Sequence, residues 1–292
     1  MGLLVLTPAQ TFALTSLATV KDELEIDASD PSRDETLSRY IAAASSAIAD
    51  DLSRVVARQQ YRETRAGNGR TELDVYNYPL VGTPTVSLEG SVITDWVVSD
   101  VDAGFLYREL TWPWTTNVAG PLDAMGLIPS PGGRRLDLSI DYWAGWLLPD
   151  DNRSGNTYSF AASDNSINDS LGTMPLLVPG DLITIGGSVS NNGTGTVVSR
   201  TANKVIVSGL TITDEAGGAA IAVTLTVSTL PAAIEDYCVY RVTERHHRRG
   251  RNPYVTRDQV DGRSVHLGGQ FGFSRSKMDI DSDPLSPYRR AA

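Results

Sequence analysis

The stretch "LSIDYWAGWLLPDDNRSGN", residues 138 to 156, opens as a half-buried strand with alternating apolar and polar side chains and closes in a run of turn formers. The next helical pattern is "STLPAAIEDYCVYRVTERHHRRGR", residues 228 to 251. Between them, residues 152 to 228 carry eight charged side chains, about half the density of a chain that carries 60 in 292 residues. Whether this weakly charged run belongs to the fold around it or interrupts that fold decides the architecture.

The run reads as β throughout. "YSFAA", "MPLLV", "DLITIGG", "GTVVSR", "KVIVSG" and "AIAVTLTV" are short apolar or alternating segments, bounded by turn signals such as Pro179-Gly180-Asp181, Asn191-Asn192-Gly193 and Gly217-Gly218. Six such segments at this spacing suit a small barrel or sandwich. Its recurring Ile and Val residues give it a core of its own.

On the N-terminal side lie two helical patterns. In "TSLATVKDELEI", Leu17, Val20 and Leu24 share a face and Thr15 or Ser16 caps the start. In "DPSRDETLSRYIAAASSAIADDLSRVV", Ser32 and Glu35 form a capping box, and Leu37, Tyr40, Ile41, Ala44, Ile48, Leu52 and Val55 form one stripe. The small residues of "AAASSA" allow a second helix to approach closely. From about residue 60 to 144 the period falls to two, which predicts four to five strands in antiparallel hairpins. Trp96, Trp112, Trp114, Trp143 and Trp146 fall in or beside this section and read as its core or rim.

On the C-terminal side, Pro231 opens a helix with an inner face of Ile234, Tyr237 or Cys238, Arg241 and Val242, and Gly250 ends it. The expected fold is therefore α+β. A small helical core with antiparallel β-hairpins comprises residues 1–150 and 229–251. An all-β barrel or sandwich is inserted at 151–228, and an extended C-terminal arm with at most one short helix occupies 252–292.

Chemistry is sparse. The chain has no Gly-x-x-x-x-Gly-Lys-Ser/Thr loop, no Gly-x-Ser-x-Gly elbow and no His-Glu-x-x-His helix, so no catalytic residue, metal ligand or cofactor is assigned and no enzyme is expected. A lone Cys238 forms no intrachain disulfide and suits a reducing compartment. No signal peptide and no membrane span are read. Charge is uneven: residues 241 to 292 hold eleven Lys or Arg against six Asp or Glu, while residues 1 to 240 hold 14 against 29. Arg245, Arg248, Arg249 and Arg251 are the candidates for weak, sequence-blind contact with DNA phosphates, the first three sharing a helix face.

"TSLATVKDELEIDASDPSRDETLSRYIAAASSAIADDLSR" resembles the N-terminal half of the head-tail connector (adaptor, or head-completion) proteins of long-tailed bacteriophages, where a short helix ending in Leu-x-Ile-Asp precedes a long helix with Ala-Ala. "LSIDYWAGW" resembles that family's closing strand with its Tyr-x-Ala-Gly-aromatic turn, and "LPAAIEDYCVYRVTERHHRR" the helix that follows it almost at once in shorter members. "DPLSPYRR" is similar to the family's usual ending. The resemblance implies that residues from about 150 to 228 are an insertion. It also implies a virion protein assembled in the host cytoplasm: a ring, typically of twelve copies, between the portal protein and a tail-side stopper or tail terminator, around packaged DNA. Leu285, Pro287, Tyr288, Arg289 and Arg290 form an expected portal-docking anchor, apolar groups for a pocket and guanidinium groups for its rim. The alternative is a carbohydrate-binding or adhesive module displayed by the β-domain, for which Tyr158 and Phe160 are the only aromatic side chains in the insert.

Overall fold

A computed structural model describes residues 2–112, 138–218, 223–249, 257–260, 263–266 and 284–289. The chain divides into two compact units, residues 1–12 with 54–229, and 13–53 with 230–292. The first is all β. It begins with eight strands: β1 (Gly2–Thr7), β2 (Gln59–Arg65), β3 (Glu72–Asp74), β4 (Leu80–Leu88), β5 (Ser91–Ile93), β6 (Val97–Asp100), β7 (Phe105–Tyr107) and β8 (Leu138–Ala144). Five pair antiparallel in the order β1-β2-β8-β4-β5, and three in the order β3-β7-β6. The alternation read in residues 138 to 144 sets the register of the larger sheet. Leu138, Ile140, Tyr142 and Ala144 point into a core shared with Tyr61, Leu73, Val86, Leu106 and Trp112, while Ser139, Asp141 and Trp143 face away. Trp112 is fully buried, as its assignment to the core or rim requires. The strand β1 lies at the sheet edge with Leu3, Leu4, Val5 and Leu6 all exposed.

The sheet ends in a forced turn. Gly145 has φ +97°, and a Cβ there would stand 2.7 Å from the Ala57 carbonyl oxygen and 2.8 Å from that of Val56. Only glycine fits. The closeness brings Trp146 N to Val56 O at 2.9 Å and Arg58 N to Trp146 O at 2.8 Å. One residue on, the chain departs and later returns to the same point. Thr229 N donates to Leu147 O at 3.0 Å, and Leu147 N donates to Thr229 Oγ1 at 3.0 Å. Asn152 Oδ1 clamps the same exit by accepting from Val227 N at 2.7 Å and Ser228 N at 3.0 Å.

What lies between is a sheet of its own. The strands β9 (Arg153–Gly155), β10 (Tyr158–Ala161), β11 (Ser166–Asp169), β12 (Leu182–Gly186), β13 (Gly193–Arg200), β14 (Lys204–Ser208) and β15 (Val223–Thr226) run in the order β10-β11-β14-β13-β12-β15-β9, antiparallel throughout. Its core is Tyr158, Phe160, Ile167, Met174, Leu177, Ile183, Ile185, Val197, Val205, Val207, Ile212, Leu225 and Val227, with Leu147 from the junction. The fold is thus α+β with an inserted β-domain.

The unit boundaries differ from those drawn on the sequence, because the insert is tied to the first sheet while the helices stand as a separate unit. The tie is Arg58, which ends the turn against Gly145 and pairs with Asp181 Oδ2 at 2.5 Å. Both side chains are buried, at 4% and 9% exposure, so neither has water to fall back on. Asp181 Oδ2 also accepts from Val178 N at 2.7 Å.

The second unit holds α1 (Leu17–Glu23), α2 (Asp34–Leu52) and α3 (Ala232–His247). Ser16 caps α1 by accepting from Thr19 N at 3.0 Å. The capping box expected at the start of α2 does not form. Ser32 is held by the Asp30 carboxylate instead, its N–H at 2.9 Å and hydroxyl at 3.0 Å, so the helix begins after Arg33 without a side-chain cap. Leu37, Tyr40, Ile41, Ala44, Ser45, Ile48 and Leu52 make the buried stripe, and Val55 lies beyond the helix. The small side chains let α3 come close: Ser45 Oγ stands 3.7 Å from Cys238 Sγ and accepts from Leu14 N at 3.0 Å. Residues beyond 252 are not simply extended. The strands β16 (Arg257–Val260) and β17 (Arg263–His266) pair as an antiparallel hairpin. Between them the sequence reads Asp261-Gly262, a pair that favours tight hairpin turns. No described helix is long and apolar enough to cross a membrane.

Removing one partner of the buried pair leaves a desolvated charge. Asp181→Ala should cost about 3–5 kcal/mol in denaturant unfolding. Arg58→Met combined with Asp181→Asn, which removes the charge and keeps an acceptor for Val178 N, should recover most of that loss.

Candidate functional site

The helical stripe of α2 and the basic end of α3 meet in a groove of about 450 Å³, lined by Tyr40, Ala43, Ala44, Ala47, Arg241, Glu244, Arg245 and Arg248. Alanines at 43, 44 and 47 make the floor shallow and apolar. The walls are cationic. Arg241 reaches Asp51 Oδ2 at 3.4 Å, and Arg248 pairs with Glu244 one turn back at 2.6 Å. Arg245 makes no ion pair among the described residues; its guanidinium lies 4.6 Å from the Tyr40 ring centroid. Three guanidinium groups over an apolar floor suit an anionic ligand.

The expected face of Arg245, Arg248 and Arg249 is therefore revised. Arg245 and Arg248 share the groove with Arg241, which the helical spacing alone places on the inner face. Arg249 is exposed beyond the end of α3 and takes no part in the lining. Arg251 lies outside the described residues. The signal for the missing member was present: Arg241 precedes Arg245 by four residues, and Tyr40, Ala44 and Ala47 repeat at helical spacing on the facing helix.

His246 sits beside the groove and is turned to a different task. Its Nε2 lies 3.0 Å from Arg33 Nη1, which can only donate, so this contact is a hydrogen bond when the ring is neutral with its proton on Nδ1. Partial burial lowers its pKa below the ordinary value, and Arg33, His247 and Arg249 push the same way. His246 and His247 face each other edge-on, 5.9 Å between centroids.

The expected portal anchor is also rearranged. Leu285 is fully buried in its own chain and Tyr288 is half-buried, while Pro287 and Arg289 are exposed. Leu285 is thus not presented for a partner's pocket. Arg290 lies outside the described residues. In the insert, Tyr158 and Phe160 are both buried in the β core and offer no stacking face. Cys238 is buried, and burial pushes its thiol up to about 11, which keeps it protonated at neutral pH. Glu63 is buried but satisfied by the Tyr142 hydroxyl at 3.1 Å, Tyr76 N at 2.9 Å and Arg65 at 3.3 Å. Among the described residues no three His, Cys, Asp or Glu side chains gather to hold a metal ion. Compared with protein-family models, curated proteins and solved structures, the chain matches none.

Two outcomes follow. Because the folded-state pKa of His246 lies below that of the unfolded chain, the unfolded chain binds the proton first, and stability falls as pH drops through the ordinary histidine value of about 6.5. His246→Gln should therefore lose less stability than the wild type between neutral and mildly acidic pH. Leu285→Ala should cost about 2–5 kcal/mol in unfolding free energy, since the side chain is already buried.

Proposed function

We propose that the chain is a structural virion protein of a long-tailed bacteriophage, an adaptor ring of about twelve copies between the portal and a tail-side stopper or terminator protein. The ring surrounds the DNA channel and catalyses no reaction. The observation that carries this reading is the closure of the insert: Leu147 and Thr229 are hydrogen-bonded to each other. A chain that ran directly from the Ala144-Gly145 turn to Leu230-Pro231 needs those two positions adjacent, and that is the connection of the shorter connector proteins. The other resembling segments also fall where local physics is demanding. Gly145 allows no side chain, and the small residues of α2 receive α3.

The exposed apolar edge of β1 supports assembly, since such an edge is a surface that oligomers cover. Burial of Tyr158 and Phe160 counts against the carbohydrate-binding reading, because sugar stacking needs an open aromatic face. In this reading Arg249, exposed beyond the end of α3 and outside the groove, makes weak contact with DNA that is insensitive to sequence, which suits a channel through which DNA must slide. Native mass spectrometry of the full chain, alone and with portal protein, tests the proposal. A ring of about a dozen copies is expected; a monomer that persists in the presence of portal protein overturns it.

A further inference from the structure

The helical unit carries, besides the cationic groove, a rigid acidic projection. In the last turn of α1 and the connection to α2, the residues Asp22, Glu23, Glu25 and Asp27 are exposed. The projection is built from inside. Lys21, only 4% exposed, donates to Ala28 O at 3.2 Å and Asp30 O at 2.8 Å, and pairs with Asp34 at 2.6 Å. Asp27 accepts from the N–H of Ser29 at 2.8 Å and its hydroxyl at 2.7 Å, and Asp30 does the same for Ser32 at 2.9 and 3.0 Å. These bonds hold both carboxyls below the usual carboxylate range. The loop is therefore preorganised, and Asp27 and Asp30 stay anionic into mild acid.

None of the described ion pairs joins Glu23, Glu25 or Asp27 to Arg241, Arg245 or Arg248 within one copy. One patch is an apolar-floored groove with a cationic rim, the other a compact acidic knob, and they belong to the same unit. We infer that the groove between α2 and α3 receives the acidic α1–α2 connection of a second copy of this chain. The contact joins two different patches, so it is head-to-tail and repeats, closing into a ring when the rotation per copy allows. It rests on the ring reading and names the interface that builds the ring. Charge complementarity selects the partner and sets its register, and the shallow alanine floor lets the loop backbone approach the guanidinium groups. Arg245, held on the Tyr40 ring with no described carboxylate of its own, is the group that gains most.

A charge exchange tests the inference by sedimentation velocity and native mass spectrometry of the full chain at low and high salt, with circular dichroism to show that each variant is folded. Arg245→Glu with Arg248→Glu should weaken self-association at least about tenfold, and so should Glu23→Lys with Glu25→Lys. A chain carrying all four changes, with the signs of both patches exchanged, should assemble to within about threefold of the wild type. Assembly that ignores the knob reversal, or a fourfold variant no better than either pair, overturns the inference. If the groove reversal alone acts, and it acts on retention by immobilised DNA, the groove meets phosphates and the contact between copies is wrong. A wild-type ring indifferent to all four changes overturns the interface and leaves the ring standing, whereas a wild type that stays monomeric with portal protein overturns both.

Discussion

Two residues 82 positions apart in the sequence share a pair of hydrogen bonds, and the architecture of the β unit depends on them. Leu147 and Thr229 mark where the chain leaves and rejoins the first sheet, and their contact makes the intervening strands a closed excursion. Closure at this point is cheap in entropy, since the ends of the excursion are already fixed by a glycine turn that no other residue can make. An insertion with adjacent ends disturbs the parent little. The insert has nonetheless become coupled to its host, because Arg58 and Asp181 were withdrawn from water together. A buried pair of this kind adds little stability over an apolar pair of the same size, but it makes either partner alone costly. The coupling therefore fixes how the two sheets meet more than how firmly they hold.

Much of the fold was legible in the sequence because it is periodic. The alternation from Leu138 to Ala144 and the stripe from Leu37 to Leu52 form as read, and five of the six segments read in the insert fall on strands; residues 174 to 178, read as a sixth, are irregular, and the short strands β9 and β11 carry no apolar run that marks them. Ser32 was misread because two acceptors compete for it. Asp30 lies two residues before it, and its carboxylate takes both the N–H and the hydroxyl that the capping box needed. Strand β1 escaped because its residues "GLLVL" do not alternate; exposure on both faces leaves no period to detect. The unit boundary escaped for a different reason. An ion pair between Arg58 and Asp181, 123 residues apart, leaves no trace in composition or spacing.

The candidate site was half legible. Composition shows that the C-terminal helix is basic, and helical spacing links Arg245 to Arg248. What turns a charged helix end into a groove is the facing surface, Tyr40 and three alanines, and only packing brings those opposite the arginines. Leu285 makes the same point in reverse. In the run "DPLSPYRR", with Pro, Tyr and two Arg following it, it reads as a ligand for another protein, yet its side chain is fully buried.

The closed-excursion account is tested most directly by the unfolding of a chain in which residues 152 to 228 are replaced by a short Gly-Ser turn and Arg58 by Met, so that no buried charge is orphaned. If the excursion is a guest on a complete host, this chain unfolds in one cooperative thermal transition and keeps the circular dichroism of its helices. Aggregation on expression, or a melt without a cooperative transition, would show that the inserted strands are part of the host core.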